Sequence, residues 1–111
     1  MGETESNSDH LEARVEGDDG GAVTVALEGE LDLVSIDDFA RAVDAALARG
    51  ASTITLDWSG LSFIDSSGVG AYVQAFRKAR SAGTALELGA RSEVVQRVLD
   101  LSGVEDALGR E

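Results

Sequence analysis

The sequence predicts a single α/β domain: a four-stranded mixed sheet, opened by an N-terminal hairpin and continued by parallel strands, with helices packed mainly on one face. Three observations carry this expectation. Apolar and polar residues alternate on both sides of a glycine-rich turn, as in two paired strands. Stripes of helical period then alternate with short strand-like runs. The early strands have one apolar and one more polar face, which suits a sheet covered on one side only. A chain of 111 residues holds one such core.

Residues 1–9 are polar and read as a disordered acidic leader, which leaves 10–111 as the domain. His10, the sole histidine, reads as a solvated terminal residue. Leu11, Ala13 and Val15 alternate with charged residues as a half-exposed strand. Gly17-Asp18-Asp19-Gly20-Gly21 is a turn by composition, and Val23, Val25 and Leu27 form the returning strand. Past Gly29-Glu30-Leu31-Asp32, Ser35 stands as a helix cap, with Asp37 and Asp38 in the first turn where the helix dipole favours acids. Ile36, Phe39, Ala40, Val43 and Leu47 make the inward stripe, and Arg49-Gly50 ends it. Ile54, Leu56 and Trp58 mark the third strand, followed by a turn at Ser59-Gly60.

The chain is organised around Leu61-Ser62-Phe63-Ile64-Asp65-Ser66-Ser67-Gly68-Val69-Gly70. An apolar run stops at an acid, two hydroxyls and a glycine, and Val69, Tyr72, Val73 and Phe76 then recur at helical spacing. Asp65, Ser66 and Ser67 are three N-cap residues where one suffices. A helix N-terminus also offers open N–H donors and partial positive charge, so a hydroxyl there is either a cap or a place for a phosphate. This helix runs from about Ser66 to Ala82, with Arg77, Lys78 and Arg80 near its negative end and Gly83 as its stop. Leu86 and Leu88 make the fourth strand, ended by Gly89. Ser92 caps a third helix with Val94, Val95, Val98 and Leu99 inward. Gly103 ends it, and Val104, Ala107 and Leu108 dock a last short turn.

Composition excludes several classes of function. Without cysteine there is no disulfide, no thiolate metal site and no thiol nucleophile. No apolar run approaches the ~18 residues of a membrane span and no signal-peptide pattern opens the chain, so the cytoplasm is the expected address. Twenty-one acids against nine bases give a net charge of −12, which opposes nucleic-acid binding and suits a basic protein partner or plain solubility. A hydrolase built on Ser66 or Ser67 lacks the Gly-x-Ser-x-Gly elbow and a nearby base. No phosphate loop occurs. Asp37 and Asp38 are better explained as helix-start acids than as metal ligands. No cofactor or metal is expected.

Right-handed crossovers make the last three strands parallel and start all three helices from one edge of the sheet. That edge is expected to gather the Gly29–Asp32 loop, the Asp65–Gly68 turn and the Gly89–Ser92 turn, beyond the strands' carboxyl ends where such sheets bind ligands.

Three segments, Gly29-Glu30-Leu31-Asp32, Leu61 through Gly70, and Leu101-Ser102-Gly103-Val104, resemble a STAS domain, and more narrowly the bacterial anti-sigma factor antagonists. The likeness runs from about residue 10 to residue 110 in order and spacing. It implies a STAS-like fold and a binding module, not an enzyme. It also implies that the unphosphorylated form binds an anti-sigma factor that is a serine kinase and so frees a sigma factor. Phosphorylation of the first serine after the aspartate, here Ser66, ends that binding, and a serine phosphatase restores it. The implied partner surface comprises Glu30, Asp32, Asp65, Ser66, Ser67 and Gly68. A STAS domain serving as scaffold or regulatory subunit of another assembly, such as a transport system, is the alternative.

Overall fold

The computed structural model describes residues 2–4, 10–17 and 20–109. Its elements are β1 (Gly2–Thr4), β2 (Leu11–Gly17), β3 (Ala22–Leu31), α1 (Ile36–Ala48), β4 (Thr53–Ile64), α2 (Ser66–Ser81), β5 (Ala85–Arg91), α3 (Glu93–Ser102) and α4 (Val104–Gly109). The sheet order is β1-β2-β3-β4-β5. The hairpin β2–β3 is antiparallel, and β3–β4 and β4–β5 are parallel. All four expected strands are therefore present with the expected directions.

The leader departs from expectation in part. Gly2–Thr4 forms a short fifth strand, antiparallel to β2 with Gly2 opposite Glu16 and Thr4 opposite Arg14. Backbone pairing along an open sheet edge needs no apolar side chain, so polarity alone did not reveal it. Residues 5–9 of the leader and Asp18-Asp19 of the turn lie outside the described residues.

One face of the sheet holds the core. Leu11, Ala13 and Val15 of β2, Val23, Val25 and Leu27 of β3, and Ile54, Leu56 and Trp58 of β4 are all buried there. Against them pack Phe39, Val43 and Ala46 of α1, Tyr72 and Ala75 of α2, and Val95 and Leu99 of α3. The Trp58 and Tyr72 rings meet at a tilt, with centroids 5.4 Å apart. Positions of the opposite face include Glu12, Arg14, Glu28 and Glu87, all exposed. The period-two alternation of the strands thus separates a covered face from an open one, as the pattern predicted.

Three strands run further than their glycines suggested. β3 continues through Gly29 to Leu31, β4 passes Ser59-Gly60 to reach Ile64, and β5 passes Gly89 to Arg91. Register shifts between Ala26 and Glu28, Gly29 and Glu30, and Leu56 and Trp58 absorb the irregularity as bulges. Gly89 is a point of close approach and not a strand end: a Cβ there would stand 2.8 Å from the Leu56 carbonyl oxygen.

The ends of α2 and α3 follow the signals in the sequence. Asp65 caps α2 by accepting from the Gly68 N–H at 3.1 Å, and Ser92 caps α3 by accepting from the Val95 N–H at 3.3 Å. Gly103 closes α3 in the left-handed conformation. Ser35 differs. It precedes α1 but makes no side-chain cap bond. Its hydroxyl donates to the Glu30 carbonyl at 2.7 Å and accepts from the Asp32 N–H at 3.1 Å. The buried serine therefore closes the β3–α1 loop on itself, and Asp38 in the first turn pairs with Arg41.

Candidate functional site

The parallel strands β3 and β4 end side by side, with Glu30 opposite Phe63 and Leu31 opposite Ile64. The Asp65 N–H donates to the Leu31 carbonyl at 3.4 Å, and the Ser62 hydroxyl donates to the Gly29 carbonyl at 3.2 Å. The Gly29–Asp32 segment and the start of α2 are thereby bound into one edge. The Gly89–Ser92 turn does not reach it. Arg91 registers with Trp58, well short of Ile64, so β5 ends earlier than its neighbours. What comes to the edge instead is the far end of α3, whose Val98, Leu101 and Ser102 line a shallow groove with Ser66 and Val69 of α2.

The serines of the Asp65–Gly68 turn are distinguished by the cap. Asp65 takes that role, so neither following hydroxyl is needed to start the helix. Ser66, the first residue of α2, is exposed, whereas Ser67 is half-buried and Gly68 is buried. Ser66 thus presents its hydroxyl to solvent at the positive end of a helix of 16 residues. Large apolar side chains stand open around this edge: Leu33 is 72%, Val34 75%, Phe63 43% and Leu101 82% exposed. Phe63 and Leu101 came within the segments singled out from the sequence. The β3–α1 loop residues Leu33 and Val34 did not, although they stand as an apolar pair between Asp32 and Ser35. These four are the large hydrophobic side chains left exposed among the described residues.

Glu30 and Asp32 lie on the same edge, and the structure adds a residue the sequence reading set aside. The His10 Nε2 lies 2.6 Å from Asp32 Oδ2 and 3.3 Å from Glu30 Oε1. His10 is accordingly not a solvated terminal residue. Its carbonyl also accepts from the Glu30 N–H at 2.9 Å. The hydrogen bond to Asp32, assisted by the charges of Asp32 and Glu30 and opposed by partial desolvation, raises the imidazole above its usual value. The same bond lowers the Asp32 carboxyl, with help from the Val34 and Ser35 contacts. Counting the hairpin register outward would have found this pairing: Leu11 sits opposite Gly29, so His10 falls opposite Glu30.

With this geometry in view, the comparisons with known proteins bear on one class. The family model of the STAS domain matches residues 12–109, and the chain belongs to that family. Among solved structures, it is similar to an anti-sigma factor antagonist from Mycobacterium paratuberculosis, with 25% identity, a TM-score of 0.77, and coverage of 92% of this chain and 86% of that one. It is also similar to the anti-sigma factor antagonist SpoIIAA in its unphosphorylated form, with 27% identity, a TM-score of 0.70, and coverage of 88% and 94%. A third, the Bacillus cell fate determinant SpoIIAA in its phosphorylated form, gives 27% identity, a TM-score of 0.63, and coverage of 88% and 97%. No curated protein matches the sequence. Among the described residues, no helix is long and apolar enough to cross a membrane.

Proposed function

We propose that this protein is a cytoplasmic anti-sigma factor antagonist whose unphosphorylated form binds an anti-sigma factor serine kinase and thereby releases a sigma factor. Phosphorylation of Ser66 by that kinase ends the binding, and a serine phosphatase restores it. The protein acts by binding and not by catalysis. The observation that carries this reading is the exposed Ser66 at the start of α2, relieved of capping by Asp65 and lining a shallow groove with Val69, Val98 and Leu101.

The switch follows from charge. A phosphate adds about −1.5 to −2 charges and three acceptor oxygens at neutral pH. The helix tolerates it, because the N-terminus of α2 is electropositive and the added group stays in water. A partner seated over the apolar rim meets new bulk, a buried charge to desolvate and repulsion at any acid facing Ser66. A coupling of about 3 kcal/mol weakens such a complex roughly a hundredfold.

The test is incubation with the cognate kinase and ATP followed by peptide mapping, together with binding calorimetry of variants. Phosphate is expected on Ser66. Ser66→Ala is expected to bind constitutively and Ser66→Asp weakly, with unchanged circular dichroism in all forms. Phosphate on Ser62 or Ser67, or equal affinity of the two variants, overturns the assignment.

A further inference from the structure

Among the described residues, His10, Glu30 and Asp32 are the one group in which a ring nitrogen and two carboxylate oxygens converge, all within 4.8 Å of one another. They come from two segments held in fixed relation by the β2–β3 register and by the Glu30 N–H to His10 carbonyl bond. We propose that these three side chains form a binding site for a divalent transition-metal ion of the zinc type, held by His10 Nε2, one oxygen of Glu30 and Asp32 Oδ2.

The spacing suits such an ion. Zinc bonds to nitrogen and carboxylate oxygen of roughly 2.0–2.1 Å, set at a tetrahedral angle, place neighbouring donors about 3.3 Å apart. The His10–Glu30 separation already has that value, at 3.3 Å. The His10–Asp32 separation of 2.6 Å is a hydrogen bond. The ion takes the place of the bridging proton as the two side chains part by a fraction of an ångström.

Asp32 is oriented for this role. Its Oδ1 accepts the Val34 N–H at 3.0 Å, while Ser35 holds the Asp32 N–H and the Glu30 carbonyl. These bonds turn Oδ2 toward His10. Oriented outer contacts of this kind are what hold metal-binding side chains in place.

The donor set also selects the ion. One imidazole with two carboxylates favours zinc and its neighbours over magnesium or calcium, which prefer oxygen alone and in greater number. Two carboxylates around a neutral imidazole leave two negative charges for the dication to neutralise. Three protein donors leave a fourth position facing solvent, since the side chains of His10 and Glu30 are only partly buried. A water or a donor from a docked protein can complete it.

The experiment is calorimetric titration of the chelator-cleaned full chain with zinc chloride, followed in parallel by imidazole 15N resonances. One ion per chain is expected, with the His10 Nε2 resonance shifting on binding and magnesium giving no comparable effect. His10→Gln and Glu30→Gln are expected to weaken binding at least tenfold. Since Asp32→Asn also disturbs the β3–α1 loop, His10→Gln carries the decision, with its fold checked by circular dichroism. Absence of binding at millimolar zinc, an unshifted Nε2, or undiminished affinity in His10→Gln overturns the proposal. No protein partner enters the titration, so its outcome is separate from that of the phosphorylation reading.

Discussion

Two glycines two positions apart on α2 should respond to alanine in opposite directions. Gly68 lies where the helix meets the ends of β3 and β4. A Cβ there would stand 2.7 Å from Ile64 Cγ1, 2.7 Å from the Leu31 carbonyl oxygen and 3.0 Å from Leu31 Cγ. Ile64 and Leu31 are buried, and the carbonyl belongs to backbone, so α2 itself must move by several tenths of an ångström. Overpacking of this kind costs about 1–3 kcal/mol. Against it stands the ordinary gain of alanine over glycine in a helix, up to about 1 kcal/mol and less in the first turn. The net expectation for Gly68→Ala is a loss of about 1–2 kcal/mol, accompanied by a weaker Asp65 cap, because the cap bond ends on the Gly68 N–H. Gly70 is exposed and a Cβ there meets nothing within 4 Å. Gly70→Ala should therefore gain about 0.5–1 kcal/mol. Urea denaturation of the two variants beside the parent measures both. Changes of the same sign would refute the claim that Gly68 is fixed by helix–sheet contact and not by local helix chemistry.

Asp65→Ala removes the cap of α2 and should cost about 0.5–2 kcal/mol in denaturant, with Asp65→Asn recovering most of it; an unchanged midpoint for the alanine variant contradicts the cap assignment. In metal-free protein, NMR titration should show His10 retaining its proton to higher pH than a free histidine, and Asp32→Asn should abolish the rise. The sign for stability follows from both partners. The raised His10 contributes fully below its unfolded value and loses its contribution as pH rises through the folded one, while the lowered Asp32 loses its own as pH falls through its folded value. The pair should therefore stabilise the edge between those limits, and a His10→Gln variant whose pH–stability profile superimposes on the parent's denies it.

Most of the fold was legible because the chain obeys period rules where it packs. Leu11, Ala13 and Val15 alternate and are buried, and Phe39 and Val43 sit one helical turn apart and are buried. Ser92, Gly103 and Asp65 kept the boundary roles their chemistry suggests. The misreadings fall where glycine has more than one use. Gly29, Ser59-Gly60 and Gly89 look like turns, yet they lie within strands at bulges or close approaches, and composition cannot tell these cases apart. His10 was missed for a different reason. Its contact with Asp32 depends on hairpin register, a pairing across 22 positions, and not on its neighbours in sequence. Ser35 carries a cap signature but finds better acceptors and donors in its own loop.

These misreadings gather in one part of the molecule, and that location has a physical reason. The register of β3 against β4 is regular from Ala22 to Ala26 and that of β4 against β5 from Thr53 to Leu56, where the strands support the helices. Every recorded shift lies beyond those points, toward the carboxyl ends. Bulges there re-aim side chains without disturbing the packed half of the sheet. The residues the edge presents, Ser66, Leu33, Val34 and Leu101, are exposed, whereas Trp58, Phe39 and Leu56 carry the core. Under the proposed function, stability and recognition therefore fall to different residues of the same strands and helices. A charge added at Ser66 can then alter what the edge binds while leaving the buried face, and the fold that depends on it, as it was.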